Sequence, residues 1–196
     1  GSEMCIRDRS LSAFSNQTNS VFFTGNSANN LLAGGGLNDT LDGGSGSDSL
    51  IGGLGADTFT VSAGIDTIVD LGNGADILNV SSGATVNATI DAAWTATSAT
   101  TNSGVVNIST NALAVNLSAV TSGTAGFIVT NTGSSTSLTG SKFSDSLTGG
   151  SGNDTITAGG GNDTIIGGDG NDLVSYSGSF SQYKIIFDSS SLTLKV

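Results

Sequence analysis

A nine-residue unit recurs in two blocks of this 196-residue chain, and it restricts the possible folds more than any other feature. Aligned on their aspartates, "GGGLNDTLD" (34–42), "GGSGSDSLI" (43–51) and "GGLGADTFT" (52–60) follow one another directly. Eroded copies flank them, "GNSANNLLA" (25–33) before and "VSAGIDTIV" (61–69) after. The unit returns as "GSKFSDSLT" (140–148), "GGSGNDTIT" (149–157), "AGGGNDTII" (158–166) and "GGDGNDLVS" (167–175). The consensus is G-G-x-G-x-D-x-U-x, with U a large apolar residue. Positions one to six form a turn in which glycine adopts conformations that other residues resist. Positions seven to nine form a strand whose middle side chain faces away from its neighbours. That middle residue, successively Leu41, Leu50, Phe59, Ile68, Leu147, Ile156, Ile165 and Val174, is the expected core. A strand of this length is stable only when coils stack and pair in parallel. Two turns close a coil, so every copy lies over the next but one.

Stacking has an electrostatic consequence. It sets Asp39 over Asp57, Asp48 over Asp66, Asp145 over Asp163 and Asp154 over Asp172. Carboxylates one strand spacing apart (about 4.8 Å) repel by about 3 kcal/mol per pair at an effective dielectric of about 20. A hard cation, which takes oxygens from carboxylates and main-chain carbonyls, removes that repulsion. Flexible turn and charge are then two halves of a site that exists only when the coil is stacked. The acid type agrees, since Glu3 is the only glutamate among 16 acidic residues. Asn-Asp and Ser-Asp also serve as ordinary turn chemistry, but that reading leaves the stacked register of the aspartates unexplained.

On these residues the chain resembles the RTX (repeats-in-toxin) family, the haemolysin-type calcium-binding repeats, with full matches at 43–51, 52–60, 149–157 and 167–175. The resemblance implies an all-β fold, a parallel β-roll or β-helix solenoid with two calcium-binding nonapeptide blocks separated by a Ser/Thr-rich β segment. It implies Ca2+ as the cofactor, roughly three to five ions. Ligands would come from position six of both stacked copies, from carbonyls two and four of the lower copy, and from carbonyls one and three of the upper. That adds Gly35, Leu37, Gly52 and Leu54 to Asp39/Asp57. Gly44 and Gly46 hold positions two and four for Asp48/Asp66. Gly150, Gly152, Gly167 and Asp169, the last through its carbonyl, join Asp154/Asp172. Leu37 departs from glycine at position four, and Ser141-Lys142-Phe143 replaces the glycine-rich turn before Asp145. Asn30 would face Asp48 as a neutral ligand. The best sites are expected at 39/57, 48/66 and 154/172, followed by 145/163 and then 30/48.

The remaining chain divides by composition. Residues 1–20 read as a leader; "GSEMCIRDR" holds the only cysteine, the only glutamate and both arginines, and reads as sequence foreign to the repeats. Residues 21–80 are the first block and its exit strands, where Asp70 and Asp76 are expected as exposed turn residues rather than peripheral ligands. Residues 81–139 carry a single charge, Asp91, and alternate as "TVNATI", "VVNIS", "LAVNLS" and "FIVTNT", which reads as strand. They either continue the solenoid, the preferred reading, or form a small separate β-unit. Trp94 is expected to pack as a cap rather than to stack on carbohydrate. Residues 140–175 are the second block. Residues 176–196 are expected as truncated capping strands, with Tyr176, Phe180, Tyr183 and Phe187 over the last coil.

Charge and missing residue types narrow the function. A formal net charge of −11 argues against nucleic-acid partners. With no histidine there is no Ser-His-Asp or Cys-His arrangement, so no enzymatic activity is expected. Cys5 alone cannot form an internal disulfide, and no apolar run approaches the length of a membrane span. The expected function is a calcium-binding β-roll module of a secreted bacterial protein, an adhesin or S-layer-like protein, extracellular or at the cell surface. The resemblance implies that it folds on calcium after type I export. The alternative is the C-terminal RTX region of a secreted protease, lipase or haemolysin whose catalytic part lies elsewhere. Expected partners are calcium and a cell-surface or polysaccharide ligand, bound by a monomeric fragment of a larger chain.

Overall fold

Strands of three to six residues stand where the repeat puts its apolar position, at Thr40–Asp42, Ser49–Gly53, Thr58–Val61, Ser146–Ser151, Thr155–Thr157 and Thr164–Asp169. The structure is a computed structural model that describes residues 3–5, 10–12 and 19–176. The proposed cap residues Phe180, Tyr183 and Phe187 lie outside the described residues. All regular structure among the described residues is strand, arranged in parallel sheets of seven, nine and five strands, here A, B and C.

In the first block the chain alternates between sheets A and B. Thr40 pairs with Thr58 in A and Ser49 with Thr67 in B, so one coil is two repeats. Leu41, Leu50, Phe59, Ile68, Leu147 and Ile156 are buried, while Ile165 and Val174, in the last described coil, are only partly so. Close stacking explains the glycine at position two. Gly53 and Gly168 have φ of 97° and 102°, and a Cβ on either would collide with the carbonyl of Gly35 or Gly150 in the coil beneath.

Sheet B runs through both blocks and the segment between them, via Thr85–Ile90, Val105–Thr110 and Ile128–Asn131. The solenoid is therefore continuous, but its cross-section changes. Beyond Ile77–Val80 the coil gains a third face, sheet C, which begins at Trp94–Thr95. Steps lengthen accordingly. Thr85 pairs with Val105, Thr101 with Ser122 and Val115 with Leu138, so each of these steps is longer than two repeats and the step length varies along the segment. Sheet A ends at Ser122–Gly123, and the second block returns to two-repeat coils on sheets B and C, with Ser146 on Thr164 and Thr155 on Leu173. Trp94 is fully buried where the third face starts, and its indole N–H donates to the Asp76 carbonyl at 3.1 Å, so it is unavailable for carbohydrate stacking. Strand formation also reaches into the compositionally foreign leader: Glu3–Cys5 pairs with Phe22–Thr24 and Ser10–Ser12 with Leu31–Ala33.

Candidate metal centre

Position six is the polar position of the repeat that points into the coil. Asp39, Asp48, Asp57, Asp66, Asp145 and Asp154 are buried, while Asp163 and Asp172, nearer the end of the described chain, are half-buried. Each carboxylate reaches down one coil. Asp57 Oδ1 accepts from the Asp39 amide at 2.7 Å, Asp66 Oδ1 from the Asp48 amide at 3.0 Å, and Asp163 and Asp172 from the Asp145 and Asp154 amides at 2.9 Å each. The ladder continues below with Asp39 on Val21 and Asp48 on Asn30, both at 2.7 Å. A glutamate would overreach this contact, which accounts for the near-exclusive use of aspartate.

The second oxygen is left over. Oδ2 of Asp39, Asp48, Asp66, Asp154 and Asp163 is buried with no hydrogen-bond partner, a costly arrangement for a carboxylate unless something else satisfies it. Those of Asp39, Asp48, Asp66 and Asp154 line the space that a side chain at the position-one glycine would fill, while the copy of Asp163 carries the buried Ala158 at that position. A Cβ on Gly43 would lie 2.6 Å from Asp48 Oδ2 and 2.9 Å from Asp66 Oδ2. A Cβ on Gly34 would lie 2.5 Å from Asp39 Oδ2 and from the Gly52 carbonyl oxygen, and one on Gly149 would meet Asp154 Oδ2 and the Gly167 carbonyl. The cradle is thus made of hard oxygen donors, carboxylate and main-chain carbonyl, which is the donor set calcium takes. No three His, Cys, Asp or Glu side chains gather into one group among the described residues, so main-chain carbonyls must complete any site.

Burial raises the pKa of the ladder carboxylates from Asp39 to Asp66 and from Asp145 to Asp163. Desolvation lifts Asp57 to about 7, with the neighbouring Asp76, Asp39 and Asp70 charges adding to it, and lifts Asp66 to about 6. Asp39, Asp48, Asp145, Asp154 and Asp163 are raised for the same first reason, partly offset by their amide hydrogen bonds. A site that resists holding its own negative charge is a site that favours a bound cation.

The other expected ligands fall into three groups. Gly52 and Gly167 present their carbonyls to the carboxylates of the coil beneath. The carbonyls of Gly35 and Gly46 point to the coil above and accept from the Leu54 and Ile65 amides at 2.8 and 3.3 Å, while those of Leu37, Gly150 and Gly152 face Gly55, Gly168 and Gly170 there. Gly44 packs over the Asn26 carbonyl, Leu54 is exposed, and Asp169 pairs with Ser151 in sheet B. Asn30 occupies the ladder with a neutral oxygen that accepts from the Asn26 amide at 2.8 Å.

Three features escape the repeat pattern. Asp76 is not an exposed turn residue: it is buried, takes the Asp57 amide at 2.9 Å and caps its second oxygen with the Gly72 amide at 2.8 Å. It stands one residue later than two repeats after Asp57, which hides it from a strict period. Asp70 accepts from the amides of Gly52 and Gly53 at 3.1 and 2.7 Å, tying the exit strand to the turn beneath. At Asp145 the free oxygen is already taken, by the Ser141 amide at 2.6 Å and the Ser141 hydroxyl at 2.9 Å, so the non-glycine turn closes the cradle it should leave open.

Stacked short strands, an inward carboxylate ladder and glycine-lined oxygen cradles define a parallel β-roll. The family model for the RTX calcium-binding nonapeptide repeat matches residues 24–59, 33–68 and 139–174. The two blocks of this chain are RTX calcium-binding repeats. Neither the curated proteins nor the solved structures contain a match to the chain.

Proposed function

We propose that this chain is the calcium-binding β-roll module of a secreted bacterial adhesin or S-layer-like protein, and that the rolls fold on meeting calcium outside the cell. The observation that carries the calcium part is the row of buried, unpartnered Oδ2 atoms facing open glycine cradles. Asp39/Asp57, Asp48/Asp66 and Asp154/Asp172 hold the ions in this reading, with Gly52 and Gly167 adding carbonyls. Asp145/Asp163 is weaker because Ser141 competes for the same oxygen. The bound ion neutralises the stacked charge, and the chain's own residues supply the strand register and the turn. In this reading the module is structural, as the calcium-binding repeat that the family model describes.

An adhesive role is favoured by the outward face of sheet B, where Thr67, Asn87, Thr89, Asn107, Ser109 and Thr130 form uncharged rows in a strongly acidic chain. A neutral polysaccharide meets no repulsion there. The alternative, a tail that delivers a secreted enzyme or toxin, uses the same calcium chemistry. Far-UV circular dichroism of the EDTA-stripped chain during calcium titration tests the shared core: β structure should rise between roughly 10 µM and a few mM calcium and not with magnesium. A spectrum indifferent to calcium would leave the solenoid standing and remove the metal function. Co-sedimentation of the calcium-loaded chain with insoluble polysaccharide then separates the adhesin from the delivery tail.

A further inference from the structure

The coils between the blocks meet the same main-chain demand with an amide instead of a cation. In the rolls, the position-one carbonyls of Gly52 and Gly167 face a carboxylate in the coil beneath. Gly149 opens the first full repeat of the second block, and its carbonyl is met from beneath by Asn131 Nδ2 at 2.5 Å. The same NH2 group donates to the carbonyls of Ser134 at 2.7 Å and Gly133 at 3.3 Å, while Asn131 Oδ1 accepts from the amides of Ala112 and Gly133. Asn102 repeats the device one face away, with Nδ2 on the Gly126 carbonyl at 2.6 Å and Oδ1 on the Gly104 amide at 3.0 Å. Both asparagines are buried. Converging carbonyls that would otherwise need a cation are satisfied by a neutral donor already in the chain.

Two independent observations agree. A single coil of this segment buries Val86, Ala88, Ile90, Trp94 and Ala96, whereas the roll coils bury fewer, Leu41 and Leu50 in one and Phe59, Val61 and Ile68 in the next. Segment 81–139 also has no stacked carboxylates, Asp91 being its only charge. It therefore has more apolar burial to offset chain entropy and no repulsion to overcome.

We infer that residues 81–139 form a calcium-independent folded centre from which the two rolls grow in opposite directions. In a solenoid the first coil is the costly one, because it has no neighbour to pair with. The centre supplies that neighbour at both ends: Thr85–Thr89 offers an edge of sheet B to Ile65–Leu71, and Ile128–Thr130 offers one to Ser146–Thr148. Calcium then has only to support propagation, and each block responds to it separately. This inference rests on the calcium reading of the rolls.

Hydrogen exchange on the full 196-residue chain, in EDTA and in millimolar calcium, tests it. Amides of Val105–Thr110 and Ile128–Asn131 should exchange about 100-fold or more slower than an unstructured peptide in both conditions, and those of Thr40–Asp42 and Thr164–Asp169 only with calcium. Free exchange across Val105–Thr110 in EDTA, reversed by calcium, would overturn the inference while leaving the calcium reading intact. Protection of the blocks in EDTA would defeat the calcium reading and, with it, the distinction drawn here. Asn131→Asp removes the NH2 donor and sets a carboxylate under the Gly149 carbonyl. Protection at Ile128–Asn131 should then require calcium while Val105–Thr110 stays protected, and unchanged protection of this variant in EDTA would refute the role given to the amide.

Discussion

Acid should substitute for calcium. Asp57 and Asp66 are raised from 3.8 to about 7 and about 6, with desolvation as the main cause. A raised folded-state value means that the stability associated with the protonated groups is fully present below the unfolded value, and is lost as pH rises through the folded values. In EDTA the first roll should therefore lose stability steadily as pH rises from the unfolded value of 3.8 through the folded values of about 6 and about 7. At about 1.4 kcal/mol for each tenfold displacement of the proton equilibrium, the two groups together withdraw about 7 kcal/mol in full. Water at the edge of the coil screens this to about 3 kcal/mol, still enough to decide whether a short-stranded roll folds. The assay is far-UV circular dichroism in EDTA from pH 8 down to pH 5 (approximate limits), above the isoelectric point of about 4.1 where association would intrude. β signal should grow as pH falls throughout this range, and saturating calcium should abolish the dependence by holding the carboxylates ionised. Asp57→Asn with Asp66→Asn should flatten the EDTA curve. A β signal that is constant, or that falls with pH in the unsubstituted chain, would refute the claim that stacked buried carboxylates oppose folding.

Alanine at Gly43 would put a methyl group 2.6 Å from Asp48 Oδ2 and 2.9 Å from Asp66 Oδ2, so calorimetry should record the loss of one calcium site. Gly36→Ala, where a Cβ meets nothing within 4 Å, should bind like the parent. Ser141→Gly removes the hydroxyl from Asp145 Oδ2 but leaves the main-chain amide on it, so Asp145/Asp163 should remain a weaker calorimetric site than Asp154/Asp172. Trp94→Ala empties the core where the third face begins and should cost about 3–5 kcal/mol in urea unfolding with calcium present.

The repeats made the rolls legible because each residue's identity encodes its place in the coil. A glycine pair, an aspartate and an apolar residue at fixed offsets give the two-repeat step, the stacked aspartates and the inward Leu41, Leu50, Phe59 and Ile68 without further information. Where the step length varies, that code fails. Asp76 lies one residue out of register, and its burial follows from an extra residue in the turn rather than from its own type. The three-sided coils take longer steps of varying length and carry no glycine–aspartate code, so neither sheet C nor the pairing of Asn131 with Gly149 could be placed. Ser141 shows a further limit. Its departure from glycine marked a weaker site, but only the hydrogen bonds to Asp145 say why.

Among the described residues sheet B alone runs through both blocks and the segment between them, with A beside it at one end and C at the other. Its hydrogen bonds lie along the solenoid axis, so a pull applied between the ends passes through every coil in series. Tensile strength is then set by the weakest coil rather than by the sum of all of them. With calcium bound the rolls and the centre share the load. When calcium falls, the rolls yield first and the centre stays intact, so a tether built this way would lengthen under force at two defined places and re-form from the same central edges once the ion returns.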